Sequence, residues 1–151
     1  MIKIETNRLI GLSDMIIKDG KLTGVERSGP IDLLTIPVAT GRENGFRFYL
    51  IDQPDIEVCH IGFTAARDKF EVSYGTELPY RKNGYMTEAL LALTEWIFTN
   101  TNEDVIWGLP NGPQSQQILE RCGYSLCKED ISYVWYVRRR SCNESKTERS
   151  L

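Results

Sequence analysis

At 151 residues, with 41% hydrophobic and 26% charged side chains, the chain is one domain able to bury a core without disulfide or metal staples, which excludes wholesale disorder. Its net charge of −3 excludes an overall basic surface of the kind that grips nucleic acid, so any phosphate binding has to be local. No apolar run approaches the ~20 residues that cross a bilayer, and the N-terminus interleaves charged with apolar residues, so a cytoplasmic protein without membrane contact is expected.

Thr6 to Leu12 reads as a first strand, and Ser13-Asp14 as the cap of a short helix over Met15 to Asp19. Between Gly11 and Gly45 stand six glycines, both ends counted, with Pro30 and Pro37 among them, so loops and short pieces are expected there. The apolar cluster Ile31 to Ile36 is expected to pack on the core, as helix or strand. From Phe46 the period-two alternation is clear: Phe46 to Ile51, Ile56 to Phe63 and Lys69 to Thr76 read as an antiparallel meander, turned at Asp52-Gln53-Pro54-Asp55 and at Ala66-Arg67-Asp68. On the third strand Phe70, Val72 and Tyr74 share one face, and Glu71, Ser73 and Gly75 the other.

A helix from Gly84 to about Asn100 places Met86, Ala89, Leu90, Leu93, Trp96 and Ile97 on one apolar stripe, with Thr87, Glu88, Thr94 and Glu95 off it. Val105 to Leu109 follows as a short strand that, after a crossover helix, lies parallel to the strand holding Glu71. Pro110 to Pro113 breaks it. A second helix, Gln114 to Cys122, stops at Gly123 with Tyr124 as the apolar contact behind that glycine. Segments around Tyr124 to Cys127 and Ser132 to Val137 close the domain as a hairpin, and residues 138–151 read as a polar, disordered tail.

Nucleophilic and metal chemistry find little support. Cys59, Cys122, Cys127 and Cys142 form no Cys-x-x-Cys pair, the lone His60 completes no zinc site with them, and Cys59 and His60 point to opposite faces of one strand. Free buried thiols and no metal are expected. The informative stretch is Tyr80 to Leu91, where Arg81-Lys82-Asn83-Gly84 turns directly into a helix. Unpaired N–H groups of the first turn, with two cations beside them, can hold a pyrophosphate. The loop fits neither the Walker nor the dinucleotide pattern, and on its own it also reads as an ordinary solvated helix start capped by Asn83.

The strand, loop and helix together, with Arg81-x-x-Gly84-x-x-Thr87-Glu88-Ala89, resemble the acetyl-CoA loop of the GNAT acetyltransferase superfamily. The resemblance is to the branch holding the ribosomal-protein-alanine N-acetyltransferases. It covers the chain from the first strand to Val137 and implies an α+β domain, residues 1–137, with a mixed, largely antiparallel sheet, one splayed parallel pair and flanking helices. It also implies that acetyl-CoA lies in the splay. Gly75, Thr76 and Glu77 would pair with pantetheine, and Arg81, Lys82, Asn83, Gly84, Tyr85 and Met86 would cradle the pyrophosphate. Met86 departs from the family's Gly or Ala.

Asn111 and Ser115 match the family's Asn and hydroxyl residue at the next helix, one residue further apart than usual. The family's thiolate-protonating tyrosine is replaced by Leu119, which leaves Ser115 to bond the thiolate. Glu71 matches a frequent acidic position and would deprotonate the amine, directly or through a water; it reads equally as a solvated strand carboxylate. The implied activity is direct acetyl transfer in a ternary complex to a primary amine, either a small molecule or a protein N-terminus. A non-catalytic acyl-CoA-binding domain is the rival, and a nucleic-acid module using Arg138 to Arg140 a third reading. A homodimer stays open.

Overall fold

The computed structural model describes residues 1–23, 45–64, 69–76 and 78–141. The expected cluster Ile31 to Ile36, the turn Ala66 to Asp68, Glu77 and the last ten residues lie outside them. The chain opens with a hairpin, β1 (Ile2–Glu5) and β2 (Leu9–Ser13), where a single strand from Thr6 was expected. Thr6 makes the turn: its N–H donates to the Leu9 carbonyl at 2.9 Å, and its Oγ1 accepts from the Leu9 N–H at 3.0 Å. Residues 6–8 are thereby turned out of the ladder.

The helix expected over Met15 to Asp19 is a second hairpin, β3 (Ile16–Lys18) and β4 (Lys21–Thr23). Two features override the cap signal. Ser13 spends its hydroxyl on the N–H of Met15, two residues on, and Asp19-Gly20 both take positive φ, 53° and 77°, as a two-residue turn requires.

The meander is as expected: β5 (Gly45–Leu50), β6 (Glu57–Thr64) and β7 (Glu71–Thr76) pair antiparallel. After a 3-10 turn at Leu78–Tyr80 come α1 (Tyr85–Asn100), β8 (Val105–Gly108), α2 (Pro113–Arg121), β9 (Ser125–Leu126) and β10 (Tyr136–Arg139). The main sheet runs β1-β2-β5-β6-β7-β8-β10-β9, antiparallel except for the β7–β8 pair. It is the mixed sheet of the expected α+β fold.

Phe46, Phe48, Cys59, Ile61, Phe63 and Val72 form one buried sheet face, and α1 lays Met86, Ala89, Leu90, Leu93 and Ile97 into the same core. Two helix positions differ from expectation. Thr94 is buried at 2% exposure because its hydroxyl pairs with that of Tyr124 at 2.8 Å, and Trp96 is only half-buried, edge-on to Phe46. α2 ends as expected: Gly123 has φ 85°, and the N–H of Tyr124 returns to the Leu119 carbonyl at 2.9 Å.

β10 lies between β8 and β9 and runs two residues past the domain end read from the sequence. Arg140 then locks the sheet to α1. Its guanidinium donates to the carbonyls of Phe98 in the last turn of α1 and of Thr101 and Glu103 just past it, and to Asp104 at 3.1 Å, and its side chain is 9% exposed. One arginine of a charged triplet that reads as a solvated tail thus supplies donors to carbonyls at and just past the end of α1.

Candidate active site

The parallel ladder is short. Glu71 pairs with Trp107 and Val72 with Gly108, and there it stops, where β8 itself ends ahead of Leu109-Pro110. β7 nevertheless stays paired to β6 as far as Thr76. From Ser73 onward β7 therefore keeps β6 on one side and has no β8 partner on the other. The first turns of α1 and α2 stand around this gap, and the resulting cleft encloses about 820 Å³. That is ample for a ligand the size of a nucleotide cofactor.

The wall formed by α1 has the geometry of an anion cradle. Lys82 (φ 67°) and Gly84 (φ 76°) take left-handed conformations that turn successive backbone N–H groups to one side, and the ladder of α1 begins only with the Glu88 N–H on the Gly84 carbonyl, at 3.1 Å. Gly84 is the helix cap and no side chain bonds there, so Asn83 is not the cap the sequence suggested. Its amide donates back to the carbonyls of Tyr80 and Arg81 at 3.1 and 3.2 Å. The loop is thus tied through its carbonyls.

Behind the loop sits Arg8, brought there by the β1–β2 turn. It donates to Glu88 Oε1 at 2.7 Å and to the Asn83 carbonyl at 3.0 Å, and its guanidinium stacks on the Tyr85 ring at 4.4 Å. Burial alone would raise the Glu88 carboxyl, but the bonds from Thr6 and Arg8 outweigh it and hold the group below its ordinary value. Glu88 stays ionised in the first turn of α1, where negative charge is favourable.

Arg81, Lys82 and Arg121 line the cleft, and among the described lining residues there is no carboxylate. With two helix N-termini facing the same space, a chain of net charge −3 carries one locally positive hollow. At its floor Tyr74 reaches from β7 to α2, donating to the Ser115 carbonyl at 2.8 Å and standing 2.9 Å from Ser115 Oγ.

The family model for the acetyltransferase (GNAT) domain matches residues 33–125, well over half of the chain. The chain belongs to the GNAT acetyltransferase family. No curated protein matches it in sequence. Among solved structures it is similar to an acetyltransferase from Agrobacterium tumefaciens str. C58, at 15% identity and TM-score 0.62, with 93% of this chain and 95% of that one covered. It is also similar to a ribosomal-protein-S5-alanine acetyltransferase from Vibrio fischeri, at 15% identity and TM-score 0.50, covering 69% and 66%. An aminoglycoside acetyltransferase in complex with coenzyme A matches at 14% identity and TM-score 0.53, covering 64% and 65%.

Of the residues that the GNAT resemblance singles out, Gly75, Thr76, Arg81, Lys82, Gly84, Tyr85, Met86, Asn111 and Ser115 line the one cleft. Met86, at 4% exposure, keeps its side chain in the core, as the departure from Gly or Ala there requires. Asn83 shapes the loop from outside the lining, and Glu77 lies outside the described residues. Glu71 does not line the cleft. It begins β7 where the ladder with β8 is intact, and at ~3.3 Å per residue its Cα is about 13 Å from that of Gly75.

The other wall was not anticipated. Gln114, Gln117 and Arg121 repeat along one side of α2 at spacings of three and four, the spacing that puts side chains on one helix face. Tyr74 was expected on the face of Phe70 and Val72, and it packs with them against the core. That face opens into the cleft because β8 stops two residues earlier.

Among the described residues Cys59, Cys122 and Cys127 do not line the cleft. Burial, with Glu57 and Glu88 nearby, pushes the Cys59 thiol up to about 12, and burial pushes Cys122 equally far, so neither supplies a thiolate. Among the described residues no group of three or more His, Cys, Asp or Glu side chains could hold a metal ion.

Proposed function

We propose that this chain transfers an acetyl group from acetyl-CoA to a primary amine by direct attack in a ternary complex. The observation that carries the proposal is the continuity of the splayed edge of β7 with the nest at Arg81 to Met86 in one positive cleft. Pantetheine amides would add to β7 at Gly75 and Thr76 as an extra strand does, and a backbone N–H there would polarise the thioester carbonyl. The nest and Arg81 and Lys82 would take the pyrophosphate, with Arg121 opposite for the remaining phosphate charge. Asn111 would contact the pantetheine arm from the start of α2. That an aminoglycoside acetyltransferase of this fold binds coenzyme A supports the choice of cofactor.

The acceptor amine would approach on the β7 face shared by Glu71, Ser73 and Gly75. Glu71 would take its proton through a water, since the carboxylate stands back from the cleft. Replacing Glu71 with Gln should lower kcat about 100-fold and leave CoA affinity intact if that role holds. The primary test is thermal unfolding alone, with acetyl-CoA and with ATP. Acetyl-CoA at 100 times its Kd adds about 2.7 kcal/mol, several degrees for a domain of this size. CoA release is then read with an alanyl peptide, spermidine and an aminoglycoside as acceptors. No shift with saturating acetyl-CoA overturns the proposal.

A further inference from the structure

The transfer reaction proposed above leaves a thiolate that needs a proton, and position 119, where many members of the family carry a tyrosine for this purpose, holds leucine. Leu119 is fully buried, and its Cδ2 lies 2.8 Å from where a Cβ on Gly108 would stand. Its side chain packs on the last residue of β8 and does not line the cleft. The cleft nevertheless contains a phenol. Tyr74 lines it from the opposite wall, on the strand whose edge would hold pantetheine, and its hydroxyl meets both the carbonyl and the Oγ of Ser115.

We propose that Tyr74 and Ser115 form a two-hydroxyl relay that delivers a proton to the departing CoA thiolate, so that β7 supplies across the splay what α2 lacks. The hydrogen count permits two settings. In one, Tyr74 donates to the Ser115 carbonyl at 2.8 Å and the Ser115 hydroxyl is spent on Tyr74 Oη at 2.9 Å. In the other, the 2.9 Å bond reverses: Tyr74 donates to Ser115 Oγ, and the serine proton is free to point into the cleft. Bound thioester sulfur favours the second setting by offering that proton an acceptor.

When the tetrahedral adduct collapses, the C–S bond breaks with its electron pair going to sulfur. The Ser115 proton then moves to sulfur as the Tyr74 proton moves to Ser115 Oγ, so no free alkoxide forms. The amine nitrogen sheds one proton on becoming an amide, through a water to Glu71; Glu71 releases it to solvent in the open cleft, and the Tyr74 phenolate takes a proton back from that solvent. Amine plus acetyl thioester thus closes to amide plus thiol with no other reactant. Burial raises the Tyr74 hydroxyl above its ordinary value, more than the Ser115 bond lowers it, so it stays a proton donor across the neutral range.

The test is a double-mutant cycle on the full chain: native, Tyr74→Phe, Ser115→Ala and both, with Ser115→Thr as the conservative control. For each, kcat is read by CoA release with whichever named acceptor the native chain turns over, and CoA Kd by calorimetry. Each single change is expected to lower kcat about 100-fold with Kd within twofold, the double variant to be no worse than the poorer single, and Ser115→Thr to keep most of the activity. Native kcat in Tyr74→Phe, weakened CoA binding without a change in kcat, or multiplicative losses in the double variant would each overturn the relay while leaving acetyl transfer standing. Absence of CoA binding to the native chain overturns both. If Tyr74→Phe does not fold, solvent-isotope measurements of kcat in H2O/D2O mixtures decide: more than one proton in flight at thiolate departure supports the relay, and a single proton overturns it.

Discussion

Arg8 is about 75 residues from the loop it supports, and replacing it with Ala tests whether the anion cradle is held in shape before ligand arrives. Three contacts go. The ion pair with Glu88 is partly exposed, 44% and 21% for the two side chains, and is worth about 0.5–1 kcal/mol after solvent screening. The bond to the Asn83 carbonyl adds about 1 kcal/mol and the stack on Tyr85 about 0.5 kcal/mol at an exposed site. The backbone N–H of Arg8 still reaches Glu88 Oε2 at 3.0 Å and the Thr6 hydroxyl still donates to the same oxygen, so the hairpin keeps two tethers to Glu88.

The sum, about 2 kcal/mol, corresponds to a Tm lower by about 4–8 °C in a chain of this length. Because the freed loop must be ordered again on binding, CoA affinity should fall about tenfold, equivalent to ~1.4 kcal/mol. Lysine at position 8 should restore little of this, having the charge without the fork that serves Glu88 and Asn83 together. The sign with pH follows from Glu88, whose folded carboxyl lies below the ordinary 4.5. Its stabilisation is present above 4.5 and is lost as pH falls through the lowered folded value, so Arg8→Ala should show a shallower acid-side loss than the native chain. Unfolding curves and calorimetry with CoA read all of this. A Tm within 1 °C of native together with a CoA affinity within twofold would refute preorganisation by Arg8.

Gly75→Ala puts a Cβ 3.0 Å from His60 Cε1 and 3.2 Å from Nε2, so it should destabilise by about 1–2 kcal/mol and be relieved by adding His60→Ala; equal Tm losses in both backgrounds would deny the contact. Arg140→Ala should cost about 2–3 kcal/mol, because a buried guanidinium leaves several carbonyls without their donor, and exchange protection should fall first at the C-terminal end of α1. Native Cys59 and Cys122, with thiols pushed to about 12, should resist iodoacetamide at pH 8 and alkylate on unfolding, as mass spectrometry of the labelled peptides will show.

What could be read in advance divides by the range of the cause. The meander, α1, the glycine stop at Gly123 and the parallel β8 follow from local periodicity and turn chemistry, and the structure repeats them. The helix expected at Met15 to Asp19 fails on a local signal too, since Asp19-Gly20 is a hairpin turn dipeptide and competed with Ser13-Asp14 as a cap. The remaining differences are set by distant partners. Arg140 meets α1, Arg8 meets Glu88 and Thr94 meets Tyr124 across 30 to 80 residues, and a charged or hydroxyl side chain carries no mark of such a partner.

Tyr74 joins the two classes. Alternation turned it to the face of Val72, yet whether that face is core or cleft depends on where β8 stops, and the ladder with β8 stops at Gly108. Glu71 stands beside a paired strand, and the edge of β7 is open from Ser73 onward. The end of that ladder therefore divides β7 into a half that holds the sheet together and a half whose edge is open to a ligand. A cofactor that adds as a strand can bind only beyond that division, which is where Tyr74, Gly75 and Thr76 stand.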